Sequence, residues 1–430
     1  MLRRPALWLL ICVTPALAKP TIVVHRIDIR GLRSTRTWVV QRELYFAIGD
    51  TVTDNELEDA HKRLHNLHVF NDAAIRADSA GTVVVSVTEA WPILPLLGVS
   101  LTHGNFSDAV RDPRGFWDDL NLLAGIRHWN FRGNAEQLFL YAQTGNSRGY
   151  FVGYTTRWLG PHGPVSVDAR FQHLIGSDRH ASVLDSTRDL EDNHASLEIG
   201  RRRGARARPS LGVEYQYVKQ ESEWPAEGRT FKELWLSPYI GLDYRDLEWW
   251  PSRGGMAESR VNIVYGTEDF LRSQYALRGY VPLGSFLPDG VPHRPVVLAL
   301  QLSAATSTTN TPSFAHYYYG FEEGLRGYWR NQSESSGYLR ADAELRFPIT
   351  TESTYNVPFI GRWGKRWPFG VAGVLFVERG ELQVANRRSE LLGYGAGIYL
   401  RIPYVELVEL ALALNRDGGS ELSLKLGVTY

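Results

Sequence analysis

Arg326 stands in a setting that calls for chemistry. It lies in Gly320 to Tyr328 (Gly-Phe-Glu-Glu-Gly-Leu-Arg-Gly-Tyr), inside a polar stretch from Ser307 to Ser336 where no strand pattern can be drawn. Aromatics crowd that stretch, among them Tyr317, Tyr318, Tyr319, Phe321 and Tyr328. Loops run over the surface as a rule, so two readings are open, a tyrosine-rich surface loop or a loop folded back into a cavity. In the second, an arginine taken out of water must find carboxylates. That chemistry is ion pairing, not bond breaking. His61 and His65 have an i, i+4 spacing that could bind a metal, with His68 close by, but no third ligand is near and a solvated helix face accounts for them. No Gly-x-Ser-x-Gly elbow, phosphate loop or dinucleotide fingerprint occurs. An enzyme, a metal site and a cofactor are therefore not expected, and a formal net charge of zero gives no support to a nucleic-acid partner.

The elements that position Arg326 are strands. Glycine is abundant at 40, aromatics make up 12%, and there are 13 Trp and 21 Tyr against 2 Met. This composition favours strands and interfacial aromatic rings. Residues 1–18 begin with Arg3 and Arg4, continue through an apolar run and end Ala16-Leu17-Ala18, which reads as a secretory signal too short to span a bilayer. The one cysteine, Cys12, falls within it, leaving the exported part without disulfides or thiolate ligands.

Residues 22–90 read as a small α/β domain of order β-α-α-β-β. Ile22 to Ile29 alternates and stops at Gly31. Arg36 to Ala47 has Val39, Val40, Leu44 and, just beyond, Ile48 at helical spacing, and Thr53 with Glu56 forms a capping box for a second helix with stripe Leu57, Ala60, Leu64 and Leu67. Strands follow at Val69 to Ala77 and Thr82 to Glu89. Ile27-x-Ile29-x-Gly31, Arg42-Glu43-Leu44 before Gly49-Asp50, the Val69-Phe70 exit and Val85-x-Val87-x-Glu89 together resemble a POTRA domain. That is the periplasmic module of the outer-membrane assembly and translocation superfamily typified by BamA and TamA. The resemblance implies a sheet edge able to add a strand from a client chain or an accessory protein; a rigid spacer is the other reading.

From residue 94 to 430 the pattern is short alternating segments punctuated by Gly, Asn, Asp and Pro. About 16 strands can be drawn, an even number in the range of bacterial barrels. Leu339, Ala341, Ala343, Leu345 and Phe347 alternate with Arg340, Asp342, Glu344 and Arg346, a strand between water and an apolar medium. Leu422, Leu424, Leu426, Val428 and Tyr430 alternate to the last residue. Spanning a bilayer with strands demands closure, since unpaired backbone is costly in lipid. The fold class expected is a transmembrane β-barrel of about 16 antiparallel strands preceded by one small α/β POTRA-like domain.

The strand count places the Arg326 loop between the eleventh and twelfth strands, where the BamA-like superfamily carries its signature Arg-Gly-(Phe or Tyr). Asp243-Tyr244-Arg245-Asp246 with Pro251-x-Arg253-Gly254, Asn130-Phe131-Arg132-Gly133, Glu344-x-Arg346-x-Pro348 and Phe376-Val377-Glu378-Arg379-Gly380 extend the resemblance over nearly the whole chain. Glu378 departs from the family's usual Asp, keeping the charge on a longer side chain. The resemblance implies that Arg326, Gly327 and Tyr328 reach the lumen, with Arg326 on Glu344 and Glu378 beside Phe376. It implies that Leu424, Leu426, Val428 and Tyr430 form a C-terminal assembly signal. It also implies residence in the bacterial outer membrane, with the N-terminal domain in the periplasm. The function implied is insertion of outer-membrane proteins or translocation of polypeptides, with outer-membrane lipid and a nascent outer-membrane or secreted client as partners. A passive pore or scaffold, and a dedicated secretion transporter for few clients, remain alternatives. Pro92 and Pro95 border the first strand and lack the donors that would close its seam with the last. Deleting Tyr430 should lower the amount of assembled barrel, measured as the heat-modifiable band of outer-membrane fractions; an unchanged band would refute the assembly role.

Overall fold

The computed structural model describes residues 21–101, 114, 117, 120–161, 163–177, 188–202, 206–222, 229–284, 294–319, 325–328, 333–384, 387–403 and 406–426. The expected signal segment, and Val428 and Tyr430, lie outside the described residues. The alternation over Ile22 to Ile29 is divided into two strands, β1 (Thr21–Val23) and β2 (Arg26–Arg30). The cause is a change of backbone partner: Val24 N–H donates to Asp50 O, and His25 N–H to Gly81 O. Thus β1 pairs with β3 (Thr51–Thr53), while β2 runs parallel to β5 (Thr82–Glu89). Helix α1 (Thr37–Leu44) stops short of Ala47 because Tyr45 turns left-handed, at φ 56°. Thr53 and Glu56 form the capping box of α2 (Asp54–His65), which packs Leu57, Ala60 and Leu64 against the sheet β2-β5-β4, with β4 at Phe70–Ala77. Burying each of the two leucines stabilises the unit by about 1.5–3 kcal/mol.

The barrel begins with β6 (Ile93–Leu101), β7 (Leu120–Phe131), β8 (Glu136–Gly145), β9 (Arg148–Thr156) and β10 (Val165–Ser177). It continues with β11 (Arg188–Arg201), β12 (Ala207–Ser222), β13 (Arg229–Asp243), β14 (Gly254–Gly266), β15 (Phe270–Gly284) and β16 (Val296–Ser307). After a long loop come β19 (Gly337–Pro348), β20 (Ser353–Tyr355), β21 (Trp367–Val384), β22 (Arg387–Ile402), β23 (Glu406–Asn415) and β24 (Ser420–Leu426), which closes on β6. Among the described residues the sheet has 17 strands, in keeping with the expected number of about 16; the additional one is the three-residue β20, which pairs with the start of β21, while β19 and β21 pair directly beyond it. Leu122, Ile126, Leu300, Leu302, Leu339, Leu375 and Leu412 point outward and are exposed, so the apolar side of the alternation faces away from the lumen. Within the long loop, β17 (Tyr317–Tyr319) and β18 (Ser333–Ser335) form a short hairpin where the sequence shows no strand pattern. Tyr317 anchors it: its hydroxyl lies 3.2 Å from Ser273 O, and the Arg272 guanidinium sits 4.4 Å from its ring centroid.

The small N-terminal unit lies across one mouth of the barrel. Asn130 Nδ2 donates to Thr35 Oγ1 at 2.9 Å and Arg36 N–H to Gly133 O at 2.9 Å, both at the β7–β8 turn. Asn71 Nδ2 donates to Trp363 O and Lys365 O, and Asp72 pairs with Arg366 at 2.8 Å. This docking half-buries the histidine face of α2, which was expected to be solvated, along a cavity between α2 and the barrel. His61 Nε2 lies 2.9 Å from Ala73 O and 3.2 Å from His65 Nε2, and His65 looks toward Arg294 and Arg401 of the barrel. Among the described residues no group of three His, Cys, Asp or Glu is placed to hold a metal ion.

Burial, with His61 alongside, pushes the His65 imidazole down to about 3. The unfolded chain, with an ordinary histidine pKa of about 6.5, takes up a proton there that the folded unit refuses. Stability is therefore complete above about pH 6.5 and is lost as pH falls toward 3. Lowering the pH from 7.5 to 5 should cost the small unit about 2 kcal/mol, read as faster hydrogen exchange of α2 amides after correction for intrinsic rates. His65→Asn should remove most of that dependence.

Candidate functional site

Four neighbouring strands, β19, β21, β22 and β23, turn a polar patch into the lumen. Asp342, Glu344 and Arg346 share the inward face of β19, and Phe376 and Glu378 that of β21; the register sets Glu344 opposite Phe376 and Asp342 opposite Glu378. On β23 the inward row is Leu407, Glu409, Ala411, Ala413 and Asn415. Into this patch the long loop delivers Arg326, which is 2% exposed, while Glu344, Glu378 and Glu409 are wholly buried. Arg326 Nε donates to Glu378 Oε1 at 2.6 Å, its backbone N–H to Glu378 Oε2 at 2.7 Å, and Nη2 to Glu344 Oε1 at 2.7 Å. Nη1 donates to Glu409 Oε1. The guanidinium carbon lies 3.6 Å from the Phe376 ring centroid. A planar fork with several donors and a stackable face meets all these partners at once, which an ammonium cannot do.

The backbone around Arg326 is shaped for close approach. Leu325 to Tyr328 makes a turn closed by Tyr328 N–H to Leu325 O at 3.1 Å, with Gly327 at φ +95°. Asn415 Nδ2 donates to Gly327 O at 2.6 Å. On β22 a Cβ at Gly393 would stand 2.0 Å from Arg326 O, so the wall is hollowed where the loop tip sits. Leu325 and Tyr328 pack with Leu382, Leu391 and Tyr338. Glu344 Oε2 is held by Arg346 Nε and Nη2, both at 2.8 Å, and the Tyr399 hydroxyl donates to Oε1 at 3.3 Å. Arg340 pairs with Asp342 at 2.8 Å and reaches Glu378 at 3.5 Å.

Arg326, Glu344, Phe376 and Glu378 are thus brought together, and Gly327 and Tyr328 flank them. Leu424 and Leu426 lie on β24 opposite Leu410 and Val408, on the strand next to the one that carries Glu409. Sequence reasoning missed Glu409, Tyr399, Arg346 as a ligand of Glu344, and Asn415. Two signals were available: Glu409 is the one charge in an inward row of small residues, and Gly393-x-Gly395-x-Gly397 lines one face of a strand that otherwise carries bulk.

Arg326→Ala leaves three buried carboxylates without their shared cation. Removing one member of a buried pair costs about 3–5 kcal/mol, which should detach the loop while the barrel ladder stays intact. Chymotryptic cleavage after Tyr328 at matched amounts of folded barrel reads this directly. Lysine at 326 should restore little protection, and adding Glu344→Gln and Glu378→Gln to Arg326→Ala should restore part. Equal cleavage in wild type and Arg326→Ala would mean the arginine does not hold the loop.

The Omp85 superfamily domain matches residues 130–427, well over half of the chain. Among solved structures, the chain is similar to BamA from Haemophilus ducreyi lacking POTRA domains 1–3, with a TM-score of 0.55 at 15% identity, covering 95% of this chain and 84% of that one. It is also similar to CdiB from Acinetobacter baumannii (0.55 at 13%, covering 95% and 74%) and to CdiB from Escherichia coli (0.52 at 13%, covering 97% and 91%). At such identities the likeness concerns the fold. Comparison with curated proteins found no match. The chain belongs to the Omp85 superfamily, a barrel of the bacterial outer membrane with its small N-terminal unit on the periplasmic side.

Proposed function

We propose that this barrel assists the insertion of outer-membrane proteins or the translocation of polypeptides across the outer membrane, without enzymatic chemistry. The periplasmic unit, spanning residues 22–90 as a POTRA-like module, receives clients or accessory proteins, and the Arg326 cluster locks the extracellular loop in the lumen. Leu424, Leu426, Val428 and Tyr430 serve assembly of the barrel itself.

The observation that carries this reading is the backbone of β6. Trp129 N–H donates to Pro92 O, and the register pairs Ile93 with His128. Hydrogen-bonded pairs recur every second residue in an antiparallel ladder, so Ile93, Pro95, Leu97 and Val99 aim their backbone groups at the closing strand β24. Pro95 has no N–H, and the seam lacks that bond. Pro92, by contrast, faces β7 and does not weaken the seam. A seam with a missing donor beside paired walls favours opening there over opening elsewhere.

A second reading, a scaffold whose periplasmic unit merely closes the mouth, is favoured by the number of turns that unit grips. Crosslinkers placed along β6 and β24 in living cells separate the two. Capture of a nascent barrel or secreted polypeptide at Leu97 or Val99, and not at outward positions of β11, is expected; crosslinks to lipid alone at all positions would leave the scaffold.

A further inference from the structure

The turn between β13 and β14 carries side chains that neither the wall nor the loop requires. Arg245 clasps Asp243 at 3.0 and 2.8 Å, and Asp246 accepts from the backbone N–H groups of Leu247, Ser252 and Arg253. This frame turns Trp249 and Trp250 back into the barrel mouth, where both are buried. Trp249 lies against the guanidiniums of Arg294 and Arg401, 4.8 and 4.0 Å from its centroid, and both arginines pair with Glu352. Trp250 sets its ring edgewise against Tyr399, with centroids 4.9 Å apart, and carries the Arg346 guanidinium 5.0 Å from its centroid. Arg346 and Tyr399 are the two residues that hold Glu344 for Arg326. At its other end the turn is fastened to the periplasmic unit: Glu248 N–H donates to Asn66 Oδ1 at 3.1 Å, just past α2.

We propose that this turn is a strut coupling the periplasmic unit to the lumen lock, with Trp250 as the positioning residue that fixes Arg346 and Tyr399 on Glu344. The proposal rests on the lock reading given above. Arg346 is 1% exposed, and Trp250, Tyr280 and Tyr399 surround its guanidinium. Its rotamer is set by those rings, so deleting the indole frees Arg346 to turn toward the void. Glu344 then loses the bonds that orient it, and Arg326 loses a well-placed partner. Coupling free energy is reciprocal, so releasing Arg326 must loosen the turn in its own right.

The experiment uses the full chain, purified in detergent and compared at equal heat-modifiable signal. Chymotryptic cleavage after Tyr328 reports the lock, and tryptic cleavage after Arg253 reports the turn. Trp250→Ala should raise cleavage after Tyr328 on the order of tenfold, within the range of typical coupling, and Trp250→Phe should restore most of the protection. Arg326→Ala should raise cleavage after Arg253, an effect that a merely structural tryptophan would not predict. Trp250→Ala with unchanged cleavage after Tyr328, while Arg326→Ala exposes that site, would overturn the strut and leave the lock standing. Unchanged cleavage after Tyr328 in Arg326→Ala would overturn the lock and the strut together. If Trp250→Ala yields no folded barrel, Arg346→Met takes its place with the same readings.

Discussion

A guanidinium excluded from water must be neutralised where it sits, and much of the interior arrangement follows from that constraint on Arg326. A single carboxylate would leave donors unmet, and each unmet donor in a buried site carries its desolvation cost. Glu344, Glu378 and Glu409 come from three strands of one stretch of wall, so they meet where neighbouring strands turn their inward faces to the loop tip. The converse also holds. Three carboxylates converging in a lumen repel one another, and the wall is comfortable only with the loop in place, flanked by Arg340 on Glu378 and Arg346 on Glu344.

Part of this was legible in the sequence. The parity that groups Asp342, Glu344 and Arg346 on one face, and Phe376 with Glu378 on another, follows from a side-chain period of two along a strand. The aromatic content of the loop pointed to a cavity. Glu409 was hidden because its place depends on β23 lying two strands beyond β21 with its odd-numbered residues turned inward, which no local pattern encodes. The division of the first strand at Val24 and His25 is a change of backbone partner with no trace in hydrophobic alternation. The histidines on α2 read as solvated because their neighbours, Arg294 and Arg401, come from the far end of the chain.

The mouth and the lumen are built on different electrostatic terms. At the mouth, Glu248 is buried, which alone would raise its pKa, but Arg157 and Arg208 hold the carboxyl well below the usual range. Both arginines belong to the barrel, and the periplasmic unit contributes only the Asn66 amide oxygen to a backbone N–H. Glu43 of α1 lies 3.5 Å from Arg42 of its own helix and 3.8 Å from Arg202 of the barrel. Glu58 has Lys62 within its helix as well as Arg253 across the gap.

Each of these carboxylates therefore keeps a cation on its own side if the two bodies separate. Among the other cross-contacts, the half-exposed pair of Asp72 with Arg366 contributes only about 0–1 kcal/mol, while the bonds of Asn71 to two barrel carbonyls and of Asn130 to Thr35 are neutral hydrogen bonds. A cavity of roughly 870 Å³ between α2 and the barrel, lined by His61, Arg253, Arg294 and Arg401, already brings solvent space to the junction. In the lumen cluster Glu344 keeps Arg346 and Glu378 keeps Arg340 when Arg326 withdraws, but the cation that all three carboxylates share is removed from a site closed to water. Detaching the loop thus breaks a fully buried network of ion pairs, whereas detaching the periplasmic unit leaves Glu43 and Glu58 each a partner of its own. An event at the periplasmic face can reach the extracellular loop only through something that spans both regimes, and the β13–β14 turn, fastened to Asn66 at one end and packed on Arg346 at the other, is placed to do so.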